Sequence, residues 1–285
     1  MASIKEVKNR IGSVTSTQQL TKAMKMVAAA KLKRAQDKVI QLRPFSNKLT
    51  VILSNLFSSG GVEDKYFVRR EIKNVLIVVV GSDRGLCGSF NSNLYKEFNA
   101  FISASYKNKS ITVLPIGKKI NDYFKKTNFS LIDDYWQSLG DFNYEKASHI
   151  TDVILKLYES FKYDSVDIIY NEFKNVAVQN TIAENFLPVK ETQKESESNL
   201  NYIFEPDKTK IISELIPQTL KTQFFKSVLE SNASEQGSRM IAMSQATDNA
   251  GELIKELKLT YNRRRQAAIT KEILEIVGGA EALNN

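Results

Sequence analysis

Residues 4–42 read IKEVKNRIGSVTSTQQLTKAMKMVAAAKLKRAQDKVIQL, and apolar or small side chains recur through that stretch on a seven-residue repeat. The seam runs from Ile4, Val7, Ile11 and Val14 through Ala28, Leu32, Ala35, Val39 and Leu42 to Leu49, Leu53 and Leu56. Twelve of its sixteen positions are apolar, the exceptions being Gln18, Thr21, Lys25 and Ser46, so the period is the dominant signal. A helix of that length needs a companion, because ordinary globular helices run about 8–20 residues. Ser3 followed by Glu6 has the pattern of a capping box, and Ser58-Ser59-Gly60-Gly61 closes the helix. Pro44 falls inside the seam and predicts a kink or local break there.

A second helical stretch runs from Thr209 to Leu283. Pro217 lies early in it and predicts that the continuous helix starts near Gln218. At about 1.5 Å per residue the two stretches would span roughly 80 and 100 Å. Two glycines, Gly237 and Gly251, sit in the small-residue middle of the second stretch, and each costs about 1 kcal/mol relative to alanine in a helix. Close approach of a neighbouring helix is the compensation they call for. The N-terminal helix offers its own small-residue stretch at Ala28-Ala29-Ala30, which favours antiparallel pairing of the two ends.

Between the helices the pattern changes. Asn74 to Val80 is a continuous β-branched run, as expected of a buried central strand. Ile111–Ile116 and Ser165–Tyr170 read as further strands, and Lys118–Lys126 and Tyr144–Phe161 as helices. That alternation predicts βαβ units and a largely parallel sheet. Phe186–Val189 and Tyr202–Phe204 are candidate edge strands around a polar loop at Lys190–Asn199. The fold class that follows is α/β: an antiparallel coiled coil of long N- and C-terminal helices plus a central Rossmann-like α/β domain. Residues 1–58 form the first helix of that arrangement, 59–208 the central domain and 209–285 the last helix.

Composition narrows the chemistry. The net charge of +8 is concentrated in residues 1–48, where eleven basic residues face two acidic ones. A face so basic is either solvated or meets an acidic partner. No apolar run approaches the roughly 20 residues that cross a bilayer. The N-terminus lacks a signal-peptide core, which favours cytosolic synthesis. Cys87 and His149 are the only cysteine and histidine, which rules out an internal disulfide and weighs against a Cys/His zinc site.

The most conspicuous motif is the turn Gly81-Ser-Asp-Arg-Gly-Leu-Cys-Gly-Ser-Phe-Asn91, placed where an α/β fold puts a phosphate-binding turn. Its glycines, Gly81, Gly85 and Gly88, do not match GxGxxG, and no Walker Lys-Ser/Thr pair follows. A structural strand-to-helix turn is the better reading, with Asp83 and Arg84 available to brace it as a local ion pair. Cys87 reads as a small buried thiol. The central residues carry a slight acidic excess and no basic–aromatic platform, which argues against nucleic acid there. Two polar belts interrupt the helices: Thr15 to Met26, and Tyr261-Asn-Arg-Arg-Arg-Gln-Ala-Ala-Ile-Thr270. Three consecutive arginines cannot all hide against one helix, so they face water or several acidic surfaces.

Several blocks resemble the ATP synthase gamma subunits: Ile4 to Val14, Thr21 to Leu32, Asp83 to Asn91, Ser234 to Met243, Ala246 to Gly251 and Tyr261 to Ala280. The resemblance extends over the whole chain. It implies a central-stalk rotor whose paired helices turn inside a ring of three alpha and three beta subunits. An asymmetric shaft would drive the beta sites through different nucleotide affinities as ions, protons or sodium, flow through the membrane ring. It implies no catalytic residue, no cofactor and no metal in this chain, with the alpha, beta and epsilon subunits and the c-ring as partners, and no nucleic acid. Membrane association would be indirect, through the c-ring, at the cytoplasmic face of a bacterial membrane. The chain lacks the cysteine-pair insertion of the chloroplast version, so redox control of that kind is not expected.

Residue by residue, Arg265 and Gln266, with Thr270 close by, match the family's polar contacts to the catch loop of beta. Met24 and Lys25 match the region facing the acidic lever segment of beta. Glu205 matches a contact zone with the c-ring and epsilon. The rival reading is a nucleotide- or RNA-binding α/β domain with a helical arm, which needs a phosphate loop with a cationic partner and a basic central domain.

Overall fold

The computed structural model describes residues 3–58, 65–67, 70–139, 142–189 and 208–283. Two long helices frame the chain: α1 spans Ile4–Ser58 and α5 spans Lys208–Leu283. The chain divides into two compact units.

In the larger unit, residues 29–239, five strands form one sheet in the order β3-β2-β1-β4-β5. They are β1 (Asn74–Val80), β2 (Ser110–Ile116), β3 (Ser130–Leu131), β4 (Ser165–Phe173) and β5 (Gln179–Leu187). The pairs β1–β2, β1–β4 and β2–β3 are parallel, and β5 runs antiparallel to β4 at the edge. Three shorter α-helices complete the unit: α2 (Phe90–Ser105), α3 (Lys118–Phe124) and α4 (Tyr144–Glu159).

The continuous apolar run of β1 makes sense in this setting, because both faces of the strand are covered. Val75, Ile77 and Val79 point to the side where Leu94 and Phe98 of α2 and Ile120 and Phe124 of α3 pack. Leu76, Val78 and Val80 point to the other side, against Ile150 and Ile154 of α4 and Ile216, Leu220 and Phe224 of α5. The early part of α5 is therefore core material for the sheet, and Lys221 pairs with Asp152 of α4 at 2.8 Å. Burying one large aliphatic or aromatic side chain contributes about 1.5–3 kcal/mol, so this α5 face anchors the helix firmly. Arg43 of α1 adds a bond to the Phe173 carbonyl at 3.1 Å and a looser one to the buried Glu230 carboxylate at 3.4 Å.

The smaller unit holds the first part of α1, to Ala28, and the part of α5 from Met240 onward. The capping box at the start of α1 is formed as expected: Glu6 N–H donates to Ser3 Oγ and Ser3 N–H to Glu6 Oε2, both at 3.2 Å. The heptad seam is the buried line on α1, and it continues through polar positions. In this unit Val7, Thr21 and Ala28 are buried, as are Leu32, Ala35, Val39, Ser46 and Leu49 further along the helix in the larger unit.

Four sequence expectations change. The helix α1 is continuous through Pro44, and α5 begins at Lys208 with Pro217 inside it, not at Gln218. Proline removes one donor and crowds the preceding turn, but in α5 the packed side chains on both sides of it, Ile216 and Leu220, hold the helix together. The edge strand expected at Phe186–Val189 is the end of a longer β5, whose alternating polar residues conceal it. The short strand β3 was not expected at all. Tyr202–Phe204, the Lys190–Asn199 segment and Glu205 lie outside the described residues.

Candidate docking and coupling surfaces

Open α/β sheets bind ligands outside the carboxyl ends of their strands, at the point where strand order reverses. Here that point lies between β1 and β4, and α5 occupies it. Three serines on one face of the helix reach the strand ends and the turn that follows β1. Ser231 donates to the Val80 carbonyl at 3.2 Å, Ser234 to Asn171 at 2.9 Å, and Ser238 to Cys87 at 2.7 Å. The small-residue run of α5 thus serves contact with backbone carbonyls. Gly237 faces Phe173, Val176 and Gln179 of the β4–β5 connection at ordinary contact distances, not a neighbouring helix.

The Gly81–Asn91 turn is built to receive that helix. A Cβ on Gly81 would fall 1.9 Å from Ile120 Cγ1, so α3 packs against the turn only because the residue is glycine. The start of the turn is tied to β2 and to its own Asn91. Gly81 N–H donates to the Ile116 carbonyl at 2.9 Å, Ser82 N–H to Asn91 Oδ1 at 3.3 Å, and Asn91 Nδ2 to Ser82 Oγ at 2.7 Å. Asp83 accepts from the Lys118 N–H at 3.1 Å, fixing the start of α3 instead of pairing with Arg84 as expected.

What the turn offers outward is carbonyl oxygen. Arg239 of α5 takes the Arg84 carbonyl at 3.1 Å, takes the Gly85 carbonyl as well, and pairs with Glu235 one helical turn earlier. Burial pushes the Glu235 carboxyl up, Arg239 pulls it back, nearby Asp83 raises it further and Lys31 lowers it. Burial also pushes the Cys87 thiol up, which keeps it protonated and unreactive. His149 sits on α4 with its ring against Tyr135, whereas Cys87 packs into the core cluster on the opposite face of the sheet. With Ser238 and Arg239 held on the Arg84, Gly85 and Cys87 carbonyls, the turn meets α5 through acceptors, which repel a phosphate instead of cradling it. Arg239 escaped the sequence reading; the signal was an Arg four residues after a Glu inside a small-residue helix face.

In the smaller unit the polar belt of α1 meets α5 at residues 244–251, short of the Tyr261–Thr270 belt. Thr21 Oγ1 and Thr247 Oγ1 lie 2.8 Å apart, Gln18 Nε2 donates to the Thr247 carbonyl at 3.3 Å, and Lys25 Nζ donates to Ser244 Oγ at 2.9 Å. Rising numbers on α1 meet falling numbers on α5, so the helices are antiparallel here. A Cβ on Gly251 would come within 3.0 Å of Gln18 Nε2, the close helix approach that the glycine predicted.

The remaining candidates fall on two surfaces. Met24 is partly buried, and Lys25 is exposed with its ammonium turned to Ser244. Arg265, Gln266 and Thr270 are all exposed on α5, and Thr270 Oγ1 bonds back to the Gln266 carbonyl at 3.0 Å. Past them the helix shows Ile269, Ile273, Leu274, Ile276 and Val277 to solvent, with Leu274 66% and Ile276 70% exposed. If the pairing continues at the register of Thr21 and Thr247, Ile4 lies opposite about Arg264, and the rest of α5 has no companion from α1 among the described residues. The sequence reading took Arg265, Gln266 and Thr270 from this end but passed over the apolar positions beside them, which look like an ordinary seam until the helix opposite runs out.

The fold and its docked helix define a mixed α/β protein whose ligand crevice is filled by its own C-terminal helix. Comparison with known proteins gives this class a family. A family profile described as ATP synthase matches residues 3–283. The ATP synthase gamma chain of Cytophaga hutchinsonii is 52% identical, and that of Flavobacterium johnsoniae 50% identical, each with 100% of both chains covered. The central stalk/c-ring structure of the Tetrahymena thermophila mitochondrial ATP synthase is similar with a TM-score of 0.58 and 26% identity, covering 80% of this chain and 99% of that one. A chain of the Euglena gracilis mitochondrial enzyme shares the fold with a TM-score of 0.71 at 22% identity, covering 98% and 94%. The chain belongs to the ATP synthase gamma-chain family. It is a non-catalytic subunit of the central stalk.

Proposed function

We propose that this chain is the rotor shaft of an F-type ATP synthase, coupling ion flow through a ring of c subunits to ATP synthesis or hydrolysis in the beta subunits. One observation carries the reading beyond family membership: the end of α5 presents five large aliphatic side chains, Ile269, Ile273, Leu274, Ile276 and Val277, beside a belt of three arginines. An apolar helix end left exposed among the described residues calls for an apolar collar supplied by others. Three alpha and three beta subunits arranged as a ring would supply it.

Within that assembly the two long helices act as an antiparallel coiled coil, with residues 1–58 and 209–285 as the shaft and 59–208 as a Rossmann-like domain facing the c-ring and epsilon. Met24 and Lys25 on one helix, and Arg265, Gln266 and Thr270 on the other, are the contacts through which the shaft acts on beta. Glu205 belongs to the contact zone with the c-ring and epsilon. A basic helix inside a ring gains from acidic segments on the ring's inner surface. Rotation shifts nucleotide affinity only if each shaft face meets a beta subunit differently, because a ligand shifts an equilibrium only by its differential interaction with the states. Among the described residues no helix is long and apolar enough to cross a membrane. Attachment to the cytoplasmic face of a bacterial membrane through the c-ring is part of the same proposal.

The test is reconstitution of ATP hydrolysis from cognate alpha and beta subunits, with and without this chain, alongside an Arg265→Ala/Gln266→Ala variant. The expected result is one copy per three alpha–beta pairs, turnover that depends on the chain, and slower turnover with the variant. A chain that neither assembles nor alters turnover overturns the rotor reading.

A further inference from the structure

The chain carries six sulfur atoms, in Cys87 and five methionines, and the fold sorts them by access. Cys87 and Met243 are buried, Met24 and Met240 are partly buried, and Met1 lies outside the described residues. Met26 of α1 differs from all of these at 69% exposed. Its place on the helix is the reason. Thr21 and Ala28 are the buried residues to either side of it, and at about 100° per residue Met26 is turned roughly 140° from one and 160° from the other. Lys22 and Ala30, one turn before and after, are exposed as well.

The two kinds of sulfur also differ in what they need in order to react. A thiol attacks an oxidant as thiolate, and burial pushes the Cys87 thiol up while Asn91 Nδ2 donates to its Sγ at 3.3 Å. A thioether has no proton to lose, so access to solvent decides which methionine reacts. Met243, 4% exposed, is shielded by the fold, and Met26 is open.

We propose that Met26 is a modification site, the sulfur of this chain that a peroxide oxidises first, and that its sulfoxide weakens the action of the shaft on beta. In the step the peroxide O–O bond breaks and one oxygen bonds to the sulfur, which gives up two electrons. The other oxygen leaves with both hydrogens as water. Oxidation converts a flexible apolar side chain into a polar one, and reductases specific for the sulfoxide reverse it. The consequence for beta rests on the rotor reading, because Met26 adjoins Lys25, one of the contacts invoked there. The order of oxidation rests on the chain alone.

The experiment treats the full-length chain with dilute hydrogen peroxide and maps the oxidised methionines by peptide mass spectrometry. The treated chain is then assembled with untreated cognate alpha and beta subunits. Met26 is expected to gain oxygen roughly fivefold faster than Met24, Met240 or Met243. Treatment carried just far enough to convert Met26 should lower ATP turnover by roughly half, and a methionine sulfoxide reductase should restore it. Met26→Leu should pass through the same treatment with its own turnover unchanged, and Met26→Gln, polar without peroxide, should start low. Assembly and turnover of the untreated parent test the rotor reading, whereas the ratio of treated to untreated turnover tests this inference. It is overturned if another of these methionines oxidises first, if the treated parent turns over like the untreated one, or if treated Met26→Leu loses as much as the treated parent.

Discussion

Ser238 on α5 donates its hydroxyl to the carbonyl of Cys87 at 2.7 Å, joining residues 151 positions apart in sequence. The bond ties the middle of the long helix to the turn that follows the central strand, and Arg239 next to it closes two more carbonyls of the same turn. The helix is therefore latched where the sheet would otherwise receive a ligand.

Removing the arginine should unlatch it at high cost. Arg239→Ala leaves a buried Glu235 carboxylate without its guanidinium and two turn carbonyls without a donor. Losing one partner of a buried pair costs about 3–5 kcal/mol. Ser238→Ala should cost about 1 kcal/mol. Urea unfolding of the chain reads both, and adding Glu235→Gln to Arg239→Ala should recover part of the loss; strict additivity of the two changes would sink the account.

The acid–base behaviour of Glu230 gives a signed expectation. Burial raises its carboxyl above the ordinary 4.5; Lys226 and Arg43 pull it down without offsetting that, and Glu172 adds to the rise. The folded chain thus holds this proton at pH values where the unfolded chain has lost it. Stability should be greatest below about 4.5 as far as this group is concerned, and should fall as pH climbs through the raised folded value. Glu230→Gln keeps the shape and removes the titration, so the variant should show a shallower fall in unfolding midpoint between mildly acidic and neutral pH. An unchanged slope contradicts the assignment.

The hydroxyl pair of Thr21 and Thr247 should register as a coupling in the smaller unit. Each hydroxyl can otherwise donate to a carbonyl of its own helix, Gln18 for Thr21 and Met243 for Thr247, so the one that donates across the pair turns back to that carbonyl when its partner is lost. A double-mutant cycle with valine at both positions should yield an interaction of about 0.5–1.5 kcal/mol. A value near zero would mean that the 2.8 Å approach carries no energy.

At the end of α5 the expectation separates stability from assembly. Leu274→Glu and Ile276→Glu change positions that are 66% and 70% exposed, so each should shift unfolding by less than about 0.5 kcal/mol. Co-purification with cognate alpha and beta subunits should fall sharply for the same variants. Normal assembly of both would remove the apolar collar from the functional reading.

Much of this architecture was readable because it rests on repeats. The seam of α1 and the buried run of β1 announce themselves, since period and β-branching reflect burial on one stripe or on two faces. The edge strand β5 did not, because Asn180, Thr181, Glu184 and Asn185 interrupt any apolar pattern on a strand paired on one side only. The start of α5 was misplaced for a related reason: Pro217 breaks a helix considered alone, but this one is held by the sheet beneath it. In the coupling surfaces the charged and amide residues stood out, whereas the apolar ones did not, since exposure of an isoleucine depends on where the opposite helix ends.

The filled crevice has a consequence for a protein that works among nucleotide sites. Strand order and turn placement give this sheet the geometry that elsewhere welcomes an adenine nucleotide, yet its own helix is already the tenant. Any such molecule would have to evict Ser231, Ser234, Ser238 and Arg239 together. A crevice that its own helix fills is closed to such a molecule for as long as those bonds hold.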